Sequence, residues 1–364
     1  MRILLLADIN SSHTRRWAEG LAGKGFSIAI WSTSLPVSDW FSSSGIHFFQ
    51  GPVRNGWMGK FNYFFSHKSA KKAILAFRPH LVHAHYASSY GMIGRKTNFH
   101  PFFISVWGSD LFEFPNKNVW SGKVFAKNLK AADRIFATSK VMCVELKERW
   151  KTNPIQMPFG INTNVFVPAK SYRFCQPETL VIGMVKSMEH VYGVDVLIRA
   201  FAMASSRNPE IKWKLIIAGG GSKLEEYREL AARLKSNNLI QFLGKIDYLE
   251  IPSVHQEFDV FVNPSRQESF GVSVLEASSC GKPIIATRVG GLAETVQDGF
   301  TGILVSPDNP ESLCEALLVL ARDKEKRTRM GNNGRAYVLE SFDWDKILEK
   351  MKSHYLEFGN LESK

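Results

Sequence analysis

The sequence predicts an α/β protein built as two doubly wound, parallel-sheet domains in series. Three features point there. At 364 residues the chain exceeds one typical domain and is comfortable for two, and 45% hydrophobic with 22% charged residues lets each half bury a core. Short apolar runs alternate with stretches of helical period, once in the N-terminal half and again from Thr179. Between the two series, residues 160–177 are rich in Asn and Pro and have no period, which marks a linker.

The elements follow in chain order. Apolar runs at 2–7, 27–31, 81–85, 102–106 and 134–138 read as strands of the first domain. Residues 12–23 read as a helix, with Trp17, Ala18, Leu21 and Ala22 on one face and Gly25 just past its end. Continuous apolar strands separated by helices argue for a parallel sheet covered on both faces. The second domain has strand runs at 180–185, 213–218, 239–243, 259–262, 283–286 and 303–305, with helical patterns at 193–204 and 223–234. Residues 344–358 form an amphipathic helix led by Ser341-Phe-Asp343. The expected bounds are 1–165 and 178–340, with 341–364 a terminal helix returning toward the first domain. Doubly wound sheets bind ligands beyond the carboxyl ends of their strands, so a ligand cleft between the domains is expected.

Composition narrows the function classes. The four cysteines are far apart and form no C-x-x-C pair, which argues against a zinc or disulfide framework and fits a reducing cytosol. The apolar start, residues 1–7, is too short for a signal peptide, and no run approaches a membrane span. The chain is therefore expected to be soluble or peripheral. Net charge is +12, and it is unevenly placed: residues 1–170 carry a net +14 and the remainder −2. Such asymmetry suggests a polyanionic partner, whether nucleic acid, an acidic membrane surface or a phosphorylated substrate; the plainer alternative is a solubilising surface.

The chemistry concentrates after the strand at 259–262, in Asn263-Pro-Ser-Arg-Gln-Glu268-Ser-Phe-Gly271-Val-Ser-Val-Leu-Glu276. Gly271 opens a helix that Gly281 and Pro283 close, so the free amides of Phe270, Gly271 and Val272 form an anion site suited to a diphosphate. Glu268 and Glu276 bracket that turn, and each carboxylate can accept from a sugar diol. The alternative is that Glu268 only caps and Glu276 faces solvent.

Glu-x7-Glu within Pro-Ser-x-x-Glu-Ser-Phe-Gly, followed by Leu-Glu-Ala, Gly-Lys-Pro and Val289-Gly-Gly-Leu-Ala-Glu294, resembles the family 4 retaining glycosyltransferases of the GT-B fold, in particular those of bacterial cell-surface polysaccharides. The resemblance extends through Asn10-Ser-Ser-His13, Val82-His-Ala-His85, Gly108-Ser-Asp110, Pro158-Phe-Gly-Ile-Asn162, Tyr192-Gly-Val-Asp and Ile217-Ala-Gly-Gly-Gly221. It implies two Rossmann-like domains facing a central cleft. It also implies that Glu276 binds the donor ribose and Glu268 the transferred sugar. Ser269, Phe270, Gly271, Val272, Gly219, Gly220, Gly290 and Gly291 would then flank the diphosphate and nucleotide.

Moving a sugar off a nucleoside diphosphate needs positive charge on the leaving group. The sequence reads as having no Asp-x-Asp metal motif, so no metal and no cofactor are expected, and fixed cations take the task. Lys186 is the expected first cation. The second position of the family pattern holds Val191 or Tyr192, with His190 or Arg266 as the substitute. In the first domain Trp107 stands where relatives place a histidine. Asp110 is the candidate for orienting or deprotonating the acceptor hydroxyl, with a capping role as its alternative. His85 is a further catalytic candidate, with His83 assigned to the opposite strand face, and Ser12, His13, Arg16 and Trp107 lie on the acceptor side.

The expected reaction is same-face transfer from a UDP-sugar, or else a GDP-sugar, to a lipid-linked glycan of lipopolysaccharide, O-antigen or capsule. It is expected at the cytoplasmic face of the inner membrane. Residues 57–72 interleave aromatics with lysines in a way that suits an anionic membrane interface. No nucleic-acid motif accompanies the charge, so no nucleic-acid partner is expected. The alternatives are a soluble small-molecule acceptor and a catalytically silent sugar-nucleotide-binding subunit.

Overall fold

The computed structural model describes residues 1–53, 59–169 and 178–359. The chain divides into two compact units, Met1–Pro158 with Ile347–Lys364, and Phe159–Lys346. The described part of the expected linker, 160–169, thus belongs to the second unit; residues 170–177 lie outside the described residues.

The first unit holds a seven-stranded parallel sheet of β1 (Arg2–Leu6), β2 (Ser27–Ser32), β3 (His47–Gln50), β4 (Leu81–His85), β5 (Phe102–Val106), β6 (Arg134–Ala137) and β7 (Ile155–Gln156). Their order is β3-β2-β1-β4-β5-β6-β7. The second unit has β8 (Thr179–Val185), β9 (Lys212–Ala218), β10 (Ile240–Gly244), β11 (Val260–Asn263), β12 (Ile284–Thr287) and β13 (Gly302–Val305), ordered β10-β9-β8-β11-β12-β13. Both are doubly wound. The strand order reverses between β1 and β4 and between β8 and β11, which opens a crevice at the carboxyl ends of those pairs.

All eleven strand runs read from sequence are present; most are buried, while β10 and β13, the edges of the second sheet, are only partly so. The second sheet shows why they were legible: successive residues of β8 enter opposite cores. Ile182 and Met184 pack with Leu197, Phe201 and Leu317 on one face, while Val181 packs with Phe258, Phe261 and Leu292 on the other. Such strands are apolar over most of their length. The two that sequence missed are edge strands: β3 is only half-buried and β7 is two residues long.

The last helix, Trp344–Gly359, starts in the second unit and ends in the first. Within the second unit Ile161 pairs with Asp343, whose carboxylate accepts from Thr163 Oγ1 (2.6 Å) and from the amide of Asp345 (3.1 Å). Contrary to expectation the chain does contain an Asp-x-Asp, Asp343-Trp344-Asp345, and it begins this helix. Within the first unit the Tyr355 ring meets Phe26, Phe103 and His83.

Candidate active site

In the second unit, β8 and β11 run side by side with Ile182 opposite Val260 and Gly183 opposite Phe261. The loops that follow them leave from the switch point. Lys186 is the first residue after β8, and its Nζ lies 2.5 Å from Glu268 Oε2 and 4.5 Å from the centre of the Tyr192 ring. Both charged side chains are largely covered, 17% and 12% exposed. Two residues expected in separate roles, 82 positions apart, are therefore an ion pair in this structure.

The expected glycines hold that pair in place. Gly219 has φ +142°, and a Cβ there would lie 1.8 Å from the Lys186 carbonyl oxygen; Gly290 has φ +46°, and its Cβ would lie 2.0 Å from that of Glu268. Only glycine allows either approach. The amide of Met188 donates to Gly220 O (2.9 Å), and that of Gly291 to Glu268 O (3.0 Å). These glycines thus seat the loops after β9 and β12 against the backbone that carries Lys186 and Glu268.

The helix Val272–Ser279 begins at Gly271, whose φ is +95°, and no side chain caps it. Among the described residues the amides of Phe270, Gly271, Val272 and Ser273 donate to no protein acceptor. Uncapped amides at a helix start attract an anion. The Phe270 ring fixes the turn by packing on Phe159 and Phe342 within the same unit. Ser269 and Val272 are half-buried beside it. Glu276, in the second turn, is 4% exposed and so does not face solvent; its Oε2 lies 3.8 Å from His255 Nε2.

Arg266 departs from its expected place. Its guanidinium forks onto Asp195 (2.9 and 2.8 Å), meets Asp308 through Nε (2.6 Å) and donates to the His190 carbonyl (2.5 Å). Bidentate pairing of this kind holds a loop. Arg266 therefore clamps the segment 190–195 and brings no spare cation.

In the first unit an aromatic group gathers at the carboxyl ends of β4 and β5. The Trp107 ring lies 4.5 Å from His85, 5.7 Å from His13 and 5.1 Å from Tyr86. His13 stands on the first turn of the helix Ser12–Gly23, which Ser11 caps at the Thr14 amide; Ser12 is exposed and Arg16 half-buried. Burial holds His85 neutral by pushing its pKa well below the usual value, and its Nδ1 has no partner among the described residues.

Asp110 is placed differently from the expected base. It is 2% exposed, and its carboxylate accepts from the amides of Ala87 (2.7 Å), Trp107 (3.0 Å) and Gly108 (2.9 Å). Burial pushes its pKa up to about 6 against the pull of those amides. Asp110 ties the loop after β5 to the loop after β4, and so reaches the site through Trp107. His83 also corrects the reading: residues two apart on a strand share a face, and its ring lies 5.2 Å from His85. Its Nδ1 meets Tyr355 Oη (2.7 Å) and its Nε2 meets Ser105 Oγ (2.9 Å), a network that sequence could not have placed because Tyr355 is 272 residues away.

The basic excess of the first unit lies partly on exposed helix faces. On the helix Gly59–Phe77, Phe65 and Leu75 are 58% and 74% exposed beside Lys68, Lys71 and Lys72. Trp57 and Met58 of the same stretch lie outside the described residues. On the helix Val119–Lys130, exposed Val119 and Trp120 precede exposed Lys123, Lys127 and Lys130. Among the described residues no helix is long and apolar enough to cross a membrane, and no group of His, Cys, Asp or Glu could hold a metal ion.

Two family models match the chain: glycosyl transferase 4-like over residues 2–139 and glycosyl transferases group 1 over 174–337. A glycosyltransferase of Methanocaldococcus jannaschii is 32% identical over 302 residues, which is 81% of this chain and 80% of that one. The D-inositol 3-phosphate glycosyltransferase of Corynebacterium jeikeium is 34% identical over 184 residues, 49% of this chain and only 44% of its own length. Among solved structures, sucrose-phosphate synthase from Thermosynechococcus elongatus superposes with a TM-score of 0.86 at 21% identity, covering 99% of this chain and 100% of that one. HepE of Anabaena, in complex with UDP-glucose, gives 0.78 at 17% identity, covering 98% and 100%.

Proposed function

This chain belongs to the GT-B glycosyltransferases, and from that premise we propose that it is a retaining, metal-independent enzyme. In this reading it moves a sugar from a nucleoside diphosphate sugar to a hydroxyl of a lipid-linked glycan. The observation that carries the reading is the Lys186–Glu268 contact at the β8/β11 switch point, in the same unit as an uncapped helix start. Lys186 and Glu268 neutralise each other in the free protein. A bound donor gives each a partner of its own: phosphate oxygen for the ammonium, sugar hydroxyls for the carboxylate. The helix amides at 270–273 take the remaining diphosphate charge, and Glu276 takes the ribose diol.

Transfer then breaks the bond between the anomeric carbon and the phosphate oxygen, whose electrons pass to the leaving diphosphate. Lys186 and the amides stabilise that charge as it develops. The acceptor oxygen forms the new bond on the face the phosphate leaves, and its proton passes to the departing phosphate oxygen. Glu268 is a binding group in this scheme, and no covalent sugar–enzyme bond is needed. UDP is the first choice of nucleotide, supported by the UDP-glucose complex of Anabaena HepE, and GDP the second.

The lysine-and-aromatic helix faces support an acceptor held at an anionic surface, the cytoplasmic face of the inner membrane. Likeness to WaaG, a glycosyltransferase of lipopolysaccharide biosynthesis, agrees with such an acceptor. The D-inositol 3-phosphate relatives favour a second reading, a soluble phosphorylated acceptor for the same basic unit.

A thermal-shift screen of the purified chain against UDP-, GDP-, ADP- and dTDP-sugars tests the donor. Ligand at a hundred times Kd stabilises by about 2.7 kcal/mol, so the right donor raises the melting temperature by several degrees. Turnover in EDTA, with NMR of the product's anomeric proton, tests metal independence and retention. The reading fails if no nucleotide sugar stabilises the protein. Flotation with vesicles containing phosphatidylglycerol separates the two acceptors, since a soluble acceptor requires no vesicle binding.

A further inference from the structure

Beneath the proposed ribose carboxylate lies a histidine that nothing so far employs. His255, on the helix Ile251–Glu257, is 0% exposed, and neither ring nitrogen has a hydrogen-bond partner among the described residues. Its ring is walled by Phe261, Phe258 and Phe166, with centroids at 5.3, 5.7 and 6.1 Å. The polar group it faces is Glu276, whose Oε2 is 3.8 Å from Nε2.

We propose that His255 is a positioning residue for Glu276, holding one carboxylate oxygen so that the other is presented to the donor's ribose hydroxyls. The proposal rests on Glu276 binding the ribose. A buried imidazole whose nitrogens go unpaired is costly, and native interiors seldom keep one without a use. The aromatic wall fixes the ring, so the imidazole N–H points to a constant place. At 3.8 Å the contact is longer than a hydrogen bond, and a small rotation of the glutamate closes it. A glutamate side chain has three rotatable bonds, and an unheld one loses affinity when a ligand must order it. An imidazole N–H on one oxygen removes that freedom and leaves the second oxygen for the diol.

Calorimetric titration of UDP and GDP, each beside its 2′,3′-dideoxy counterpart, tests this on the full chain. The wild type should prefer the ribose form of its nucleotide by at least about tenfold, a difference of 1.4 kcal/mol. Glu276→Ala should abolish the preference. His255→Phe, which suits an aromatic pocket, should cut it about three- to tenfold while leaving affinity for the dideoxy form unchanged, and His255→Gln, which keeps an N–H donor, should restore most of it. Equal weakening of both forms by His255→Phe, or an intact preference, overturns the positioning role while Glu276 keeps its own. A preference that survives Glu276→Ala overturns the ribose assignment, and the positioning role with it.

Discussion

Acidifying the protein should weaken its first unit, with His83 contributing a calculable share. His83 is buried between β5 and the last helix, bonded to Ser105 and Tyr355, and burial lowers its pKa from 6.5 to about 3. The native state therefore refuses a proton that the unfolded chain accepts below pH 6.5. With the folded pKa depressed, the stability is present above 6.5 and is lost as pH falls toward 3. At 1.36 kcal/mol per unit, His83 alone removes roughly 2 kcal/mol between pH 7.5 and pH 5. His83→Gln keeps a polar group and cannot titrate, so it should lack this loss even if it is less stable at pH 7.5. Hydrogen exchange of peptides covering β4 and β5, corrected for intrinsic rates, gives the opening free energy of this unit in both proteins. His85 is also kept neutral, chiefly by burial and less by His83 and His13, and because its burial is common to both proteins most of its own loss cancels in the comparison. The wild-type advantage over His83→Gln should shrink by about 2 kcal/mol at pH 5. An advantage of the same size at both pH values refutes the reasoning.

Three further outcomes are expected. Lys186→Met should lower kcat by about 10²–10³ with a smaller change in donor KM, because the lost charge acts mainly on the leaving group; steady-state kinetics would expose an unchanged kcat. Asp110→Ala leaves three buried amides unpaired and should destabilise the first unit by roughly 2–4 kcal/mol, read by the same hydrogen exchange. Gly290→Ala forces a Cβ against the Glu268 carbonyl and should cost about 1–3 kcal/mol while weakening donor binding, and calorimetry showing unchanged donor affinity would count against that placement.

The fold was readable because doubly wound sheets write themselves as apolar runs. Residues such as Val181 and Ile182 face opposite cores, so few polar residues interrupt such strands. The edge strand His47–Gln50 escaped notice because it is four residues long and buries none of them fully. Within the site, Glu268, Glu276 and Gly271 were legible from the strand–turn–helix sequence around them. Their partners were not. The Lys186 contact with Glu268 comes from strand adjacency in space, and the fork of Arg266 on Asp195 depends on a loop path that no local pattern encodes. Asp110 and His83 were visible as residue types at strand ends, yet their tasks rest on amides and a hydroxyl supplied from elsewhere. Polar residues near a strand end announce a site, and their division of labour is set by tertiary contacts.

The helix that ends the described chain has a consequence for how the protein is made. Tyr355 completes the interior of the first unit, yet residues 159–346 must be synthesised before it exists. At 5–20 residues per second the ribosome takes about 10–40 s over that interval. During this time the nascent first unit carries His83 without the Tyr355 hydroxyl and an uncovered patch at Phe26 and Phe103. Emergence of this helix from the ribosome, rather than of the last strand of that unit, should be the event that seals it. A ribosome-stalled chain ending before Ile347 should be cut by protease within the first unit faster than the released protein.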